Sequence, residues 1–239
     1  MPAVLGGFVE LLDTFGNDLT VVNAARVSFN KEVNAMSHGD EKLVKYLADH
    51  NHVTPFFHPQ ARFRIKMPIF VAREWYRHQI GFARNEVSRR YVDSEPEMYL
   101  PTCVRERDVK LKQGSKATEV PLNDQAHAII KETNELTNQA YKKLLLLNVA
   151  PEVARTILPQ GMYTEFIETG SLAAYSRLCA LRLDQSAQWE IRQYAAAVSS
   201  LMEEAFPVSW KALQPEVPPL PTLPQMPSGE AVHAAVNGC

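Results

Sequence analysis

The sequence lacks the marks of several large protein classes. Its three cysteines, Cys103, Cys179 and Cys239, stand far apart, with no Cys-x-x-Cys pair and no histidine pattern beside them that would suggest zinc binding. No uncharged apolar run reaches about eighteen residues, and the N-terminus lacks the basic and apolar regions of a secretion signal. We therefore expect no metal site, no membrane span and a reduced, cytoplasmic setting.

Short motifs of the commonest nucleotide-binding and acyl-transfer enzymes are missing too. There is no glycine-rich phosphate loop, no Gly-x-Gly-x-x-Gly turn, no Gly-x-Ser-x-Gly elbow and no His-Glu-x-x-His pattern. Basic residues are not in excess, since 25 lysines and arginines stand against 27 acidic residues. A general nucleic-acid binder usually shows a basic excess over its whole domain, so we expect no nucleic-acid partner. Whatever cofactor binds here is therefore expected to be held without the dinucleotide fingerprint of a Rossmann fold.

What is present indicates a folded protein of mixed structure. The chain has 239 residues, of which 46% are hydrophobic, so it can bury an ordinary core. Strand-like stretches at 7–14, 61–66 and 163–169 are separated by helical patterns, and no repeat is visible. We predict one α+β domain over residues 1–210, with a mixed, mostly antiparallel sheet packed against helices. Residues 211–239 are rich in proline and are expected to form a flexible tail.

Two helices carry specific expectations. Asp40 is predicted to cap a helix whose apolar face is Leu43, Val44 and Leu47. A longer helix is predicted over 123–148, where apolar residues recur at helical spacing. Its expected buried stripe is Ile129, Thr133, Leu136, Ala140, Leu144 and Leu147. This helix would be a structural spine of the domain.

The densest cluster of charge lies at residues 73–91, which read REWYRHQIGFARNEVSRRY and contain five arginines. Pro68 suits the first position of a helix and Gly81 its end, so Arg77 and His78 are expected in the last turn. Residues 82–88 would then form a loop. Arginine presents a planar fork that matches a phosphate or a pyrimidine edge, so a nucleotide is the expected ligand. A solvated arginine face is the alternative.

Two further segments hold polar groups in a defined way. Residues 61–66 alternate apolar and basic side chains, which predicts a strand with Arg62, Arg64 and Lys66 on one face. That face would be solvated unless a neighbouring subunit covers it. His52 precedes Pro55 in a segment whose prolines exclude a helix, so this histidine is expected to be held in position.

Several blocks of the sequence resemble, in order, those of flavin-dependent thymidylate synthases. The family's signature is Arg-His-Arg, seven residues and Ser, and here eight residues separate Arg77-His78-Gln79 from Ser88. Gln79 and the additional residue are departures from the signature, and Arg84 is a candidate to replace the missing guanidinium. The other similar blocks are GNDLTVVNAARVSF, HNHVTPFFH, MPIFVAREWYRH, EVARTILP and AQWEIRQYA, which begin at positions 16, 50, 67, 152 and 187.

The resemblance implies that the protein makes dTMP from dUMP, with methylenetetrahydrofolate as carbon donor and NADPH as reductant through FAD. It also implies a homotetramer whose active sites are shared between subunits. The implied contacts to dUMP are Glu74, Arg77, Ser88, Arg89, Arg90, Arg155 and Arg182. The implied contacts to FAD are Ser28, His52, Thr54, Arg77, His78, Asn85, Glu86, Ser171 and Arg177. The implied catalytic residues are Arg182, His52 and Ser88, with Arg182 against the pyrimidine.

Two other functions stay open at this point. A non-catalytic nucleotide- or RNA-binding module could use the same arginines, with Trp75, Tyr76 and Tyr91 as stacking platforms. A flavoprotein with an unrelated reaction would share the flavin but not the dUMP contacts. A yellow purified protein would exclude the first, and dUMP-dependent oxidation of NADPH would exclude the second.

Overall fold

A computed structural model describes residues 2–92, 94–109, 115–120 and 123–214. Its strands are β1 Ala3–Val4, β2 Gly7–Phe15, β3 Gln60–Pro68, β4 Phe82–Glu86, β5 Arg105–Arg107, β6 Ser115–Glu119 and β7 Tyr163–Ser171. Its α-helices are α1 Asp18–Arg26, α2 His38–Asp49, α3 Ile69–Trp75, α4 Asn123–Leu146, α5 Pro151–Ala154, α6 Leu172–Arg182, α7 Trp189–Ala205 and α8 Pro207–Leu213. Short 3-10 helices span Val27–Phe29, Thr54–Phe57 and Arg155–Ile157. The expectation that prolines exclude a helix after His52 is wrong, because Pro55 occupies the first turn of the second of these, where its missing N–H is not needed.

Five strands form one sheet in the order β1-β2-β3-β7-β4, and β5 pairs with β6 in a separate hairpin. Each of these pairings is antiparallel. The predicted α+β class is confirmed, but a mixed sheet is wrong for the described residues. Strands β3 and β4 run in the same direction, but β7 lies between them and pairs with each in the antiparallel sense, so no parallel pair forms.

Strand β3 confirms the predicted alternation of apolar and basic residues. Its inward side chains, Ala61, Phe63 and Ile65, are almost completely buried, and they belong to the core that α6 and α7 share. The outward cations are each paired with a carboxylate. These ion pairs are Arg62 with Asp13 at 2.6 Å, Arg64 with Glu165 at 2.5 Å and Lys66 with Glu97 at 2.6 Å. The face that the sequence presents as strongly basic is therefore neutralised within the chain.

The arginine-rich segment is arranged differently from the prediction. Pro68 is still part of β3, and α3 ends at Trp75, so Arg77 and His78 lie beyond the helix. The expected loop at 82–88 begins instead with β4, which pairs with β7. A turn joins the two elements, because Phe82 N donates to Gln79 O at 3.2 Å and Gly81 has φ +85°. Hydrogen bonding across the sheet outweighs the helical periodicity of the sequence here.

The predicted cap of the second helix is also corrected. Ser37, and not Asp40, is the N-cap of α2, and its hydroxyl accepts a hydrogen bond from Asp40 N at 3.3 Å. Asp40 is the third residue of the helix, and its carboxylate accepts from Ser37 N at 2.9 Å. The two residues therefore form a capping box, in which a serine and an acidic residue three positions later satisfy each other's backbone donors.

Helix α4 forms over the predicted residues, but its stripe is not buried within the chain. Ile129 is 58% exposed, Leu136 is 67% exposed and Leu147, just beyond the helix, is 75% exposed. Among the described residues of α4, only Tyr141 is buried. The periodicity correctly marks an apolar face, but the sheet and helices of the same chain do not cover it. We call Ile129, Leu136 and Leu147 the α4 face.

At the C-terminal end, α8 packs against α2 and α7. The predicted boundary between domain and tail at residue 210 falls within α8, and residues 215–239 of the predicted tail lie outside the described residues. Within the described part of the chain, no helix is both long and apolar enough to cross a membrane. In the same part, no group of His, Cys, Asp and Glu could hold a metal ion.

Candidate active site

Three clefts open around the segment from α3 to the residues that follow β4. The arginine cleft, of about 500 Å³, is lined by Glu74, Arg77, Arg105, Ser115, Arg182, Ser186, Ala187 and Gln188. The turn cleft, of about 400 Å³, is lined by Arg77, His78, Gln79, Ile80, Phe82, Ala174, Arg177 and Leu181. The serine cleft, of about 500 Å³, has a lining that includes Ile69, Glu86, Val87, Ser88, Arg89, Glu152, Arg155 and Thr164.

In the arginine cleft, Arg182 is held by the end of α3 and by the residues after it. Its Nε donates to His78 Nε2 at 3.0 Å, and one terminal nitrogen donates to the backbone oxygen of Glu74 at 3.2 Å. The other terminal nitrogen lies 3.7 Å from a Glu74 carboxylate oxygen. These contacts fix the plane of the guanidinium, because its donors project in a rigid fork.

His78 takes part in this arrangement as a neutral imidazole. Its Nε2 accepts from Arg182, so the ring proton is assigned to Nδ1. Burial, and after it the nearby charges of Arg182, Arg84 and Arg177, together lower the pKa of His78 from 6.5 to about 4. The ring is therefore uncharged at neutral pH and can act as an acceptor for Arg182.

The turn cleft combines apolar surface with arginine. Ile80 is 75% exposed and Leu181 is 62% exposed. Arg177 donates to the backbone oxygen of Ile80 at 2.8 Å, which ties α6 to the turn before β4. Exposed apolar side chains beside two arginines suit a flat aromatic ligand that also carries anionic groups.

The serine cleft begins where β4 ends. Glu86, the last residue of β4, accepts a hydrogen bond from the Thr164 hydroxyl at 2.5 Å. Ser88 Oγ accepts from the backbone nitrogen and from Nε of Arg90, both at 3.3 Å. Arg155 is exposed on the neighbouring 3-10 helix. This combination of hydroxyl, carboxylate and guanidinium groups suits a phosphorylated sugar.

Comparison with known proteins shows which family this chain is similar to. The thymidylate synthase complementing protein family matches residues 10–208. A flavin-dependent thymidylate synthase of Thermosipho melanesiensis is 41% identical over 207 residues, which cover 86% of this chain and 90% of that protein. One of Thermus thermophilus is 38% identical over 214 residues, covering 90% of this chain and 78% of that protein.

A solved structure shares the fold as well. It is a UMP/dUMP methylase, PolB, from Streptomyces cacaoi, bound with 5-Br dUMP. It is 28% identical, with a TM-score of 0.75, and the match covers 86% of this chain and 93% of that one. This chain belongs to the flavin-dependent thymidylate synthase family. The resemblance noted in the sequence is thereby confirmed.

The dUMP contacts that membership of the thymidylate synthase family implies are divided between two clefts. Glu74, Arg77 and Arg182 line the arginine cleft. Ser88, Arg89 and Arg155 line the serine cleft, and Arg90 lies beside it with its guanidinium 5.0 Å from the Tyr91 ring. Ile69 at the start of α3 reaches one cleft and Glu74 near its end reaches the other, so α3 separates them. A single chain does not bring these residues into one pocket.

The implied FAD contacts are also divided. Arg77, His78 and Arg177 line the turn cleft together, whereas Glu86 lies in the serine cleft and Asn85 is exposed on β4. The remaining positions lie on other elements. Ser28, His52 and Thr54 are exposed near the first two 3-10 helices, and Ser171 is buried, where its hydroxyl caps α6 by accepting from Ala174 N at 3.2 Å.

Arg84 does not replace the guanidinium that the signature lacks. Its side chain is 15% exposed and forms an ion pair with the fully buried Glu168, its direct neighbour across the sheet. The guanidinium lies 5.4 Å from the Tyr76 ring and 4.6 Å from the Phe82 ring. The expectation that Arg84 supplies a ligand contact is therefore wrong.

Sequence reasoning missed two buried carboxylates near the clefts. Glu168 accepts from Trp75 Nε1 at 3.2 Å and pairs with Arg84, although burial raises its pKa. Glu190 pairs with Arg105 at 2.7 Å. A signal for Glu168 was available, because it shares the inward face of β7 with Phe166. No such signal pointed to Glu190, since its partner comes from a distant hairpin.

Proposed function

We propose that this protein catalyses the reductive methylation of dUMP to dTMP, with methylenetetrahydrofolate as carbon donor and NADPH as reductant through FAD. The observation that carries the proposal is the fixed position of Arg182 in the arginine cleft, where the neutral His78 and the Glu74 backbone accept its hydrogen bonds. The match to the family model supports the same conclusion. The relatives' names and the dUMP analogue in the Streptomyces methylase support the same substrate.

In this proposal, Arg182 acts on the pyrimidine. A fixed guanidinium polarises a uracil carbonyl and stabilises the negative charge that develops as carbon 5 becomes nucleophilic. His78 supports this role because it is uncharged and accepts from Arg182 Nε. The N–H groups of Nη1 and Nη2 that do not face Glu74 are then the donors for the substrate. Ser88, Arg90 and Arg155 bind the phosphate and sugar, and His52 contributes to the flavin side of the site.

In this proposal, FAD lies along the turn cleft. Exposed Ile80 and Leu181 offer apolar contact to a ring system, and Arg77 and Arg177 offer charge to its phosphates. When bound, the flavin would supply electrons from NADPH that reduce the transferred one-carbon unit to a methyl group. This site consists of a turn and the face of α6, so the proposal retains a flavin site that is not a Rossmann fold.

The proposed active site is shared between subunits of a homotetramer. Two observations support this part. The implied dUMP contacts lie in two clefts that α3 separates, and a second subunit could bring an arginine cleft to the first subunit's serine cleft. The α4 face is apolar and exposed, as expected for a surface that another copy covers. We retain a cytoplasmic setting as part of the proposal.

The test is an assay of dTMP formation from dUMP, methylenetetrahydrofolate and NADPH, with and without added FAD. We expect a yellow protein whose dTMP formation requires all three substrates and whose activity falls when FAD is removed. A colourless protein that binds dUMP without turnover would indicate a binding module instead. A yellow protein that oxidises NADPH without any dependence on dUMP would indicate a different flavoprotein.

A further inference from the structure

Arg105 and Glu190 form a buried ion pair beside the arginine cleft. The terminal nitrogen Nη2 of Arg105 lies 2.7 and 2.9 Å from the two carboxylate oxygens of Glu190. The Arg105 side chain is 12% exposed and the Glu190 side chain is 5% exposed. Arg105 belongs to β5 and Glu190 to the first turn of α7, so the pair joins the β5–β6 hairpin to the main domain.

Several contacts fix the orientation of this pair. Glu190 also accepts from the Gln188 side chain at 2.9 Å and from the Tyr99 hydroxyl at 3.4 Å. Arg105 Nε donates to Ser115 Oγ at 2.7 Å, and its guanidinium lies 5.2 Å from the Trp189 ring. Because these contacts use Nε and Nη2 of Arg105, a ligand in the cleft would be met by Nη1.

The arginine cleft carries an excess of positive charge. Arg77, Arg105 and Arg182 line it, against two carboxylates, that of Glu74 in the lining and that of Glu190 behind Arg105. Within the described residues, Arg77 has no ion-pair partner, and Glu74 lies closest to Arg182. A cleft of this kind favours an anionic ligand, because several guanidiniums that converge on one space repel one another unless an anion lies between them.

We propose that Arg105 is a further ligand-binding residue, which receives an oxyanion of a reaction partner other than dUMP, and that Glu190 is the residue that positions it. The inference rests on the proposed function. In the proposed function, the dUMP phosphate binds in the serine cleft and the pyrimidine lies against Arg182 in the arginine cleft. Arg105 therefore faces the part of the arginine cleft that a second reaction partner would occupy. Two partners carry a suitable oxyanion, namely the glutamate carboxylates of the folate and the 2′-phosphate of NADPH.

Steady-state kinetics of Arg105→Gln distinguish these sources. A charge-assisted hydrogen bond contributes enough that its loss raises KM for one co-substrate by about tenfold. We expect that rise while KM for dUMP stays within about twofold of the wild-type value, because dUMP does not contact Arg105. If the folate is the partner, KM rises for methylenetetrahydrofolate. If NADPH is the partner, KM for NADPH rises toward that for NADH, which lacks the 2′-phosphate.

Three further variants separate a binding role from a structural one. Arg105→Lys keeps the charge beside Glu190 and should recover part of the lost affinity, but not all of it, because lysine lacks the planar fork. Glu190→Gln should weaken binding of the same co-substrate alone, since it releases Arg105.

Arg107→Gln is the matched control, because Arg107 is exposed on the same strand and does not line the cleft. No change in KM for any substrate in folded Arg105→Gln and Arg105→Lys, or an equal change for all, overturns the proposal.

A binding measurement keeps this test separate from the proposed reaction. Trp189 touches Arg105, so its fluorescence can be titrated with inorganic phosphate in the absence of any substrate, and Trp189→Phe identifies its emission. We expect saturable binding whose Kd rises by about tenfold in Arg105→Gln and by less in Arg105→Lys. Equal Kd values in wild type and both variants overturn the anion site. Phosphate binding without any dTMP formation would instead refute the proposed function alone.

Discussion

Nε of Arg182 donates to Nε2 of His78 at 3.0 Å, although both side chains are cationic in many proteins. The contact requires an unprotonated histidine, and the lowered pKa of His78, about 4, provides one. Burial is the first cause of that pKa and the surrounding arginines are the second. Arg182 and His78 are therefore one unit, in which the neutral ring fixes the cation proposed to act on the substrate.

The His78 pKa predicts how stability depends on pH. The imidazole has a pKa of 6.5 in the unfolded chain and about 4 in the folded one, so only the unfolded chain gains a proton between these values. Stability should therefore fall as pH is lowered from about 6.5 toward 4. His78→Gln, which keeps an acceptor but does not titrate, should lose less stability over that range. Urea midpoints of both proteins at about pH 7 and pH 5 check this, and equal losses would contradict it.

Gly81 is expected to tolerate no side chain. It has φ +85°, and a β-carbon there would lie 2.9 Å from the Ala174 β-carbon and 3.1 Å from Ser171 Oγ. Gly81→Ala should cost about 1–3 kcal/mol in free energy of unfolding and loosen the turn cleft. Gly39→Ala is the control, since a β-carbon at Gly39 would meet only Ser37 Oγ, at 3.6 Å. Denaturant unfolding of both variants measures the difference, and equal stability would show that the turn is not strained.

The ion pair between Arg84 and Glu168 predicts a strongly non-additive pair of substitutions. Arg84→Met leaves the fully buried Glu168 carboxylate unpaired, which should cost about 3–5 kcal/mol. The double variant Arg84→Met, Glu168→Gln removes both charges and should recover most of that stability. A double-mutant cycle of unfolding free energies provides the measurement. Additive losses would mean that the two side chains do not depend on each other.

His52→Ala should reduce flavin-dependent activity much more than stability. His52 is exposed, and its ring is edge-on to the Tyr46 and His50 rings with centroids 5.9 and 6.3 Å away, so its loss removes little buried surface. His50→Ala is a matched control on the same ring cluster. Turnover, FAD content and melting temperature of the two variants check the prediction. Unchanged turnover with normal FAD content in His52→Ala would make this histidine a surface residue only.

The sequence predicted those features that depend on local chemistry. The alternation in β3 placed Phe63 and Ile65 in the core, and the helical spacing of Val44 and Leu47 placed these two side chains there as well. The expectations for the segment after Pro68 and for Arg84 were wrong, because both depend on pairing with β7. This strand is distant in sequence, since Arg84 and its partner Glu168 are 84 residues apart. Long-range pairing of this kind leaves no local periodicity to read.

In the candidate site too, the residues could be predicted from the sequence, but their arrangement in space could not. Family blocks identified Arg77, His78 and Arg182, and the structure brings these three together. It places Ser88 and Arg155 in a separate cleft, and neither the sequence nor one folded chain can supply the geometry between the two groups. The exposed residues of the α4 face show the same limit, since their periodicity marks an apolar surface without showing what covers it.

Arg182 also predicts a graded loss of turnover. Arg182→Ala should lower turnover by about 10²–10³ while the helices persist, because a preorganised donor is lost. Arg182→Lys should recover only part, since a point charge replaces a planar fork. Turnover, dUMP affinity and circular dichroism of both variants measure the effect. A loss below about threefold would place Arg182 outside the site.

The central claim is that dUMP is methylated in a site shared by two subunits, and mixing two inactive variants tests it most directly. Arg182→Ala disables the arginine cleft and Arg155→Ala disables the serine cleft. Each variant alone should be nearly inactive. Mixed tetramers are prepared by refolding or co-expressing equal amounts of the two variants and are isolated through two different tags. They should regain about a quarter of wild-type dTMP formation, because random mixing pairs two intact clefts in that share of sites. Mixed oligomers that form but recover no activity would contradict a shared site.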